Sequence, residues 1–322
     1  MADRSTEGHE TRMFESVGRC WVCGGTTLAR FHLAKLDFTL FKDEDAELYA
    51  YTGQSVWMVR CAACGFGQPE QMPTLPGFFD RMYKQLWSEQ WMSEEFESDY
   101  RDLIFRTVLR GLDRRVTARP RRLLDVGAQA GRFLDFARHD GWEVEGIELN
   151  PLAAAYAAAR TGAPIYQQNA HQLAPDGRRY AAIVLSDVLE HIPEPLDLLR
   201  TLALLTEPGG SIAVKVPCGP NQLRKEQILA ALLSRNVKLA DSLVHVNQFT
   251  PRSLTLALER AGFDRVSVRT GAPELLPVPR DGWRARWANA VRWCVYTAGS
   301  MPGAVHTPLA LNLQAFASRP PA

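Results

Sequence analysis

Long apolar runs and a dominant sign of charge are both missing from this chain of 322 residues. It contains no stretch of about 18 or more apolar residues, so we expect no transmembrane helix. The first dozen residues are polar and include no apolar segment, which predicts the absence of a secretory signal and a cytoplasmic location. The net charge is only +1, too small to create a global field that recruits nucleic acid.

Cysteine is also scarce, and four of the six cysteines fall into two Cys-x-x-Cys-Gly pairs. The pairs are Cys20 with Cys23 and Cys61 with Cys64, each followed by a glycine that lets the backbone curl around one point. Without a secretory signal, this spacing indicates a metal rather than disulfides, and four thiolates are a ligand set that Zn²⁺ prefers. A redox dithiol or a catalytic zinc is the alternative. However, four thiolates leave no open position on the metal, and a redox pair needs no second pair.

The next informative feature is a Gly-x-x-x-Gly turn between a predicted strand and a predicted helix. Residues 122–126 form an apolar run that ends at this turn, Gly127 to Gly131, and apolar residues at helical spacing follow it. A second strand, predicted at 143–149, carries Glu148 near its end. In such a unit, backbone N–H groups and the positive end of the helix point at a ligand. The acid at the end of the second strand, here Glu148, can accept hydrogen bonds from ribose hydroxyls. The sequence therefore predicts a site for a ribose-containing ligand.

The residues around the turn distinguish between ribose ligands. Asp125 lies just before the turn, and Gln129 stands where a dinucleotide fingerprint would have a middle glycine. A carboxylate at this place suits an ammonium group and opposes a pyrophosphate. S-adenosylmethionine carries both an ammonium group and a ribose. A βαβ unit that binds no nucleotide is the alternative, but the residues resemble motif I and its following acid in class I S-adenosylmethionine-dependent methyltransferases.

Two later motifs strengthen this resemblance. Residues 187–195, DVLEHIPEP, resemble motif IV of the small-molecule methyltransferases that include the ubiquinone-biosynthesis O-methyltransferases. Residues 245–254, HVNQFTPRSL, resemble the same group. The pattern implies an α/β fold with a Rossmann-like, seven-stranded methyltransferase sheet, closed by an antiparallel pair at 265–270 and 311–318.

The resemblance also implies which residues bind the cofactor, at the carboxyl ends of the parallel strands. Asn169 stands at the place of an aspartate that hydrogen-bonds the adenine amine in this family, and its side-chain oxygen can accept the same bond. The residues that we expect to contact S-adenosylmethionine are Asp125, Gly127, Ala128, Gly131, Glu148, Leu149, Asn169, Ala170, Ser186 and Asp187.

A four-cysteine module ahead of such a domain is similar to the zinc-containing group that includes the deoxysugar C-methyltransferases. That group has its catalytic base in a Tyr-His-Glu-His-Leu-x-Tyr-Phe-Ser stretch, and residues 242–250 keep only the last histidine, His245. We therefore predict methyl transfer to a hydroxyl, with His245 as the base and His191 as a second candidate, because a histidine can take the hydroxyl proton. A structural hydrogen bond is the alternative role for each.

The remaining segments are largely helical in pattern. The predicted division of the chain is a disordered tail at 1–14, a small β-rich zinc-binding module at 15–74, a helical linker or lid at 75–118 and a methyltransferase domain at 119–322, with substrate-side insertions at 219–247 and 272–310. Tyr83 and Trp87 are either parts of a lid or ordinary packing residues. Residues 281–297 place Trp283 and Trp287 on one side. This pattern indicates either peripheral membrane contact or a helix packed over the active-site mouth.

The sequence thus predicts an S-adenosylmethionine-dependent methyltransferase with a structural Zn²⁺ that acts on a hydroxyl of a sugar, glycolipid or natural product. C-methylation of a nucleotide-linked ketosugar, a zinc-ribbon RNA methyltransferase and a non-catalytic S-adenosylmethionine-binding protein are the alternatives. The five arginines between residues 114 and 122 are too local to indicate RNA binding, and we read them as a solvated linker. A nicotinamide oxidoreductase is disfavoured by the Gly-x-x-x-Gly turn and by residues 187–195.

Overall fold

A computed structural model describes residues 12–84, 88–117, 119–233, 237, 241–278 and 282–321. Trp87 and residues 1–11 of the predicted tail lie outside the described residues. The strands are β1 (Phe14–Ser16), β2 (Leu28–Lys35), β3 (Ser55–Cys61), β4 (Gly67–Pro69), β5 (Gln71–Pro73), β6 (Arg122–Val126), β7 (Glu143–Ile147), β8 (Ile165–Tyr166), β9 (Tyr180–Ser186), β10 (Thr206–Pro217), β11 (Asp264–Thr270) and β12 (Asn312–Ser318). The helices are α1 (Ala46–Tyr49), α2 (Phe78–Lys84), α3 (Glu89–Glu97), α4 (Asp102–Asp113), α5 (Arg132–His139), α6 (Pro151–Thr161), α7 (Ala170–Leu173), α8 (Pro195–Leu205), α9 (Gly219–Leu233), α10 (Pro251–Arg260) and α11 (Trp283–Gly299).

A seven-stranded sheet positions the site. Its strand order is β11-β12-β10-β9-β6-β7-β8, in which β12 is antiparallel to both neighbours and the other pairs are parallel. β6 and β9 lie at the centre, where helices cover both faces of the sheet, and all but one residue of each strand is buried. The predicted Rossmann-like seven-stranded sheet is confirmed. The chain reverses its winding between β6 and β9, where the carboxyl ends of parallel strands leave a crevice for ligands.

Helices cover both faces of this sheet. Apolar residues of α8 and α10 form a core with one face, and those of α4 and α5 form a core with the other. Local capping fixes where two of the helices begin. Asn150 caps α6 and Thr250 caps α10, each directly before a proline whose fixed φ suits the first helical position.

The N-terminal module has its own small sheets and its own core. β2, β3 and β4 form an antiparallel sheet, and β1 pairs with β5. β1 begins at Phe14, inside the segment predicted as a tail. An aromatic cluster that includes Phe38, Tyr51 and Phe78 fills the core, so α2 packs on this module.

Residues 241–250 join the module to the large sheet. Gly67 and Gln248 exchange two backbone hydrogen bonds of 2.8–2.9 Å. At the other end of the segment, the side chains of Asp241 and Ser242 accept hydrogen bonds from backbone N–H groups of the module. Cys218 and Phe249 form a parallel bridge on the opposite side. The segment that carries His245 is therefore held between the two parts of the molecule.

Candidate functional site

The four cysteines of the two pairs converge at one point. The Sγ atoms of Cys20 and Cys64 lie 3.6 Å apart and those of Cys23 and Cys61 lie 3.4 Å apart, and all four sulfurs are within 4.8 Å of one another. A disulfide would bring two sulfurs to about 2.05 Å. Tetrahedral Zn–S bonds of about 2.3 Å separate sulfurs by about 3.8 Å. The donor set and its spacing fit a closed, structural zinc site.

The crevice at the ends of β6 and β9 contains a small, partly enclosed pocket. It is lined by Glu95, Arg101, Phe105, Asp125, Gly127, Ala128, Gln129, Ala130, Arg132, Phe133 and Ser186. Asp125 is fully buried at its base, and burial raises the pKa of this carboxyl group to about 8, against an opposing effect of Arg101. Four of the predicted cofactor residues, Asp125, Gly127, Ala128 and Ser186, therefore face the same cavity.

The two glycines of the turn are required for different reasons. Gly127 has a φ of +83°, and a Cβ there would lie 2.5 Å from Val188 Cγ2, so the turn can pass this close only without a side chain. Gly131 has a φ of +86°, and its Cβ would lie 2.9 Å from the Cβ of Ala157 on α6. Gly131 therefore allows α5 and α6 to pack closely, and its predicted contact with the cofactor stays a prediction.

Glu148 is held against the turn by two backbone groups. Its Oε2 accepts a 2.9 Å hydrogen bond from the N–H of Gln129, and its Oε1 accepts a 2.8 Å bond from the N–H of Asn150. These bonds fix the carboxylate at the end of β7, where each oxygen keeps a further lone pair for a ligand hydroxyl.

The other predicted adenine-side residues lie further along the same edge. Asn169 is exposed and caps α7, where its side-chain oxygen accepts a 3.0 Å bond from Gln172 N–H. Leu149 is 49% exposed, whereas Ala170 is buried. None of these three residues lines the described cavity. Their predicted contact with adenine stays a prediction.

Arg101 is a site residue that the sequence reasoning missed. It lies directly before α4, is 7% exposed, and donates from Nη1 to Gln129 Oε1 at 2.8 Å and from Nη2 to Asp187 Oδ2 at 2.7 Å. A buried guanidinium thus stands opposite Asp125 in the cavity. The sequence does contain a signal for this placement. Arg101 precedes Ile104, Phe105 and Val108 by three, four and seven residues, which is the spacing of one helix face, so it extends the buried face of α4.

A second polar cluster lies beside the cavity, on the segments after β9 and before α10. The rings of His191 and His245 have centroids 5.0 Å apart. His191 Nδ1 lies 2.6 Å from the carbonyl of Val244, so this nitrogen carries the proton and donates it. The hydroxyl of Tyr83 lies 2.9 Å from the same nitrogen and also donates to the Val244 carbonyl. The predicted lid residue Tyr83 therefore contacts His191, one of the two predicted catalytic histidines.

His245 is half-buried, and its imidazole is neutral near pH 7. Burial, together with the neighbouring His191, lowers its pKa to about 4. Its Nδ1 has no hydrogen-bond partner among the described residues. Glu190 is buried, and burial and the nearby Asp187 raise the pKa of its carboxyl group well above the usual range. Glu190, His191 and His245 bring ligand atoms within 4.8 Å of one another, a set that a divalent cation can use.

Asp187 connects this cluster to the cofactor cavity. It accepts hydrogen bonds from Arg101 and from the buried Lys215. Although burial acts in the opposite direction, these two cations lower the pKa of Asp187 to about 2. Its positive φ of 58° holds the side chain at the reversal of the chain after β9. The carboxylate is thus a charged bridge between the two halves of the site.

Comparison with known proteins identifies the family. A family model described as a methyltransferase domain matches residues 96–268, just over half of the chain, and this range includes both histidines and every residue of the cavity lining except Glu95. The chain belongs to this family. It is a class I S-adenosylmethionine-dependent methyltransferase.

The matching relatives show how far the similarity extends. A ubiquinone biosynthesis O-methyltransferase of Proteus mirabilis is 32% identical over 98 residues, which are 29% of this chain and 40% of the relative. One of the same name from Coxiella burnetii is 27% identical over 109 residues, 32% of this chain and 47% of the relative. The methyltransferase spans less than half the length of these curated relatives.

Two solved structures share the fold at low sequence identity. A complex of the Haloferax volcanii Trm112 methyltransferase activator with a methyltransferase aligns at a TM-score of 0.51 with 16% identity, over 73% of this chain and 100% of that one. Haemonchus contortus Phospholethanolamine N-methyltransferase 2 aligns at 0.50 with 13% identity, over 92% of this methyltransferase and 68% of that chain.

Proposed function

We propose that this methyltransferase transfers a methyl group to a hydroxyl of a small-molecule or glycan acceptor, and that His245 takes the hydroxyl proton. One observation carries the proposal: the half-buried, neutral imidazole of His245 has a buried ring nitrogen that is unpaired among the described residues, beside the cavity. Buried polar atoms usually have a hydrogen-bond partner. An unpaired nitrogen beside the cavity is explained if a bound acceptor supplies the missing partner. O-methyltransferase relatives support the choice of a hydroxyl.

The cofactor half of the site has charges that match S-adenosylmethionine. We propose that Asp125, once it has lost its proton, binds the ammonium group and that Arg101 binds the carboxylate, because both side chains line the same cavity. Glu148 is placed to accept the ribose hydroxyls, and Asn169 stays the proposed adenine contact. The bound cofactor supplies a methyl group on a positively charged sulfur.

The protein's own residues then have two tasks. They hold the acceptor oxygen in line with the methyl group, and they remove its proton as the new O–C bond forms. His245 receives the proton, and the nearby Asp187 carboxylate favours the resulting imidazolium. His191 and Tyr83 both contact the carbonyl of Val244, the residue before His245, so we propose that they position the base.

The structure also bears on the alternatives. RNA binding would need free basic residues, but Arg121 is buried against Trp142 and Asp113, and Arg122 pairs with Glu145. Reading all five arginines of this region as a solvated linker is therefore wrong for these two. Ketosugar C-methylation would differ in its acceptor, which gives up a proton from carbon rather than from oxygen. A non-catalytic protein would bind the cofactor without turnover.

The test combines cofactor binding with turnover. Radiolabelled S-adenosylmethionine is offered with a panel of phenolic, glycosidic and lipid-linked hydroxyl acceptors, and label transfer is compared between the natural protein and His245→Ala. We expect transfer to fall by about 10²- to 10⁴-fold, as for loss of a general base, with cofactor affinity unchanged. Full turnover by His245→Ala would exclude the base role. Binding without label transfer to any acceptor would favour the non-catalytic alternative.

A further inference from the structure

Helix α11 presents its apolar side to solvent. Trp283, Trp287 and Trp293 are 68%, 69% and 49% exposed, and Val291 is 41% exposed. The side that faces the protein is instead partly polar, because it carries Asn289 and Arg292, which bond to backbone groups. A helix that packs on a core normally has the reverse arrangement, with its apolar stripe inward.

The exposed face has a defined pattern of charge. Trp283, Trp287, Val291 and Cys294 follow one another at helical spacing and form a single stripe. Arg284 and Arg286 are exposed on opposite sides of this stripe, because successive residues of an α-helix are rotated by about 100°. Trp283–Gly299 contains three arginines and no aspartate or glutamate.

The helix is firmly attached in this orientation. The side chain of Asn289 exchanges hydrogen bonds of 2.7 and 2.9 Å with the backbone of Leu276, and Arg292 donates to the carbonyl of Glu274 at 2.6 Å. Thr270 donates to the carbonyl of Gly299 at the other end of the helix. Two further exposed apolar residues lie beside it, Val278 and Met301. The aromatic surface is thus preformed and does not depend on an opening motion.

We propose that α11 binds the surface of an anionic lipid bilayer, lying in its plane with the tryptophan stripe in the headgroup region. Tryptophan favours the membrane–water interface, and arginines at the edges of an apolar stripe attract anionic headgroups. The binding is peripheral, since no helix of the described residues is long and apolar enough to cross a membrane.

A second copy of the chain is a poorer partner for this face. A two-fold interface brings the same surface of both copies together, so α11 would meet another α11. Arginines would then face arginines with no acidic residue of either helix to pair them. An anionic lipid surface supplies the missing negative charge.

Membrane binding through α11 would also orient the catalytic domain. The segment that holds the helix includes Glu274, whose carboxylate lies 3.8 Å from the Nε of Arg101 in the cofactor cavity. The edge of the cavity is therefore close to the proposed lipid surface. The proposal does not depend on the role of His245 or on the acceptor.

The test is sedimentation of the full-length protein with phosphatidylcholine vesicles, with and without phosphatidylglycerol. We expect the protein to sediment with the anionic vesicles, and Trp283→Ala/Trp287→Ala to weaken this partitioning at least about tenfold. Arg284→Gln/Arg286→Gln should reduce binding to anionic vesicles and leave the neutral ones unchanged. Leu40→Ala/Leu204→Ala removes exposed apolar residues elsewhere and should bind as the natural protein does.

Circular dichroism and thermal melting check that each variant is folded, and the exposed positions should leave both unchanged. The proposal is overturned if the natural protein stays in the supernatant with anionic vesicles, or if the double tryptophan variant binds as well as the natural protein. It is equally overturned if the natural protein forms a dimer that the tryptophan changes dissociate, while vesicles do not bind it. The tryptophan stripe would then bind a second copy of the chain instead of a membrane.

Discussion

The proposed cofactor half of the site, around the pocket at β6, and the proposed acceptor half, around His191 and His245, are built in different ways. The cofactor half comes mostly from one βαβ unit, in which a backbone turn, a helix N-terminus and Glu148 are set by local geometry. The acceptor half brings together Tyr83, His191 and His245 from three distant segments. The comparison teaches that the proposed cofactor contacts are encoded locally, whereas the proposed acid–base chemistry depends on how the N-terminal module packs on the large sheet.

Loss of the metal site should have the largest effect of the changes considered, and it should disrupt the acceptor half. Structural zinc sites contribute apparent binding free energies of about 10–16 kcal/mol, so Cys61→Ser/Cys64→Ser should lose zinc and unfold the module. Because the module holds residues 241–250, turnover should be abolished. Metal analysis, thermal melting and label transfer measure the effects. Cys294→Ser changes an exposed cysteine outside the cluster and is the matched control. A zinc-free double variant with normal turnover would contradict this dependence.

Arg101→Gln tests the cofactor half. A hydrogen bond to a charged group contributes about 1.5–3 kcal/mol, so the affinity for S-adenosylmethionine should fall by about 10- to 100-fold in a calorimetric titration. Arg106→Gln, on the exposed side of the same helix, should leave the affinity unchanged. Equal affinities of the two variants would show that Arg101 does not hold the cofactor.

The pH dependence should separate the two halves. The pKa of Asp125 is raised to about 8, so below this pH the cavity must release a proton to present a carboxylate to the cofactor's ammonium group. Affinity should therefore rise from about pH 6 to about pH 8, by up to tenfold per unit. Asp125→Asn should bind more weakly and remove this slope. A pH-independent affinity of the natural protein would contradict the assignment.

Turnover at saturating cofactor should depend on pH in a different way, because it depends on the protonation of His245. Its pKa is lowered to about 4, so the imidazole is already neutral above about pH 5 and turnover should stay level from there toward neutral pH. An acidic limb near pH 6.5 that disappears in His245→Gln would instead indicate an ordinary, solvated histidine.

The smallest effect is expected at the adenine edge. Asn169→Ala removes one hydrogen bond acceptor, worth about 0.5–1.5 kcal/mol, so affinity should fall by about two- to tenfold. Helix α7 also loses its cap in this variant. Asn169→Asp keeps a side-chain oxygen that can cap α7 and accept the proposed hydrogen bond from adenine. This variant should bind S-adenosylmethionine normally. Unchanged affinity in Asn169→Ala would leave the residue with a capping role alone.

The sequence was sufficient for features whose contacts are local. The Gly127 turn, the acid at Glu148 and the cysteine pairs each follow from short spacings, and the structure brings each set together. The sequence reasoning could not place Arg101 in the cavity, because its partner Asp187 is 86 residues away. Nor could it pair Tyr83 with His191 across 108 residues. Such contacts depend on tertiary packing, which periodicity does not report.

The most direct test of the account is a pair of measurements on two variants, Asp125→Asn and His245→Ala: the dissociation constant for S-adenosylmethionine, and the turnover at saturating cofactor. We expect Asp125→Asn to bind weakly, and His245→Ala to bind normally and turn over at least about 100-fold more slowly. Weak cofactor binding by His245→Ala, or normal binding by Asp125→Asn, would contradict the division of the site into a cofactor half and an acceptor half.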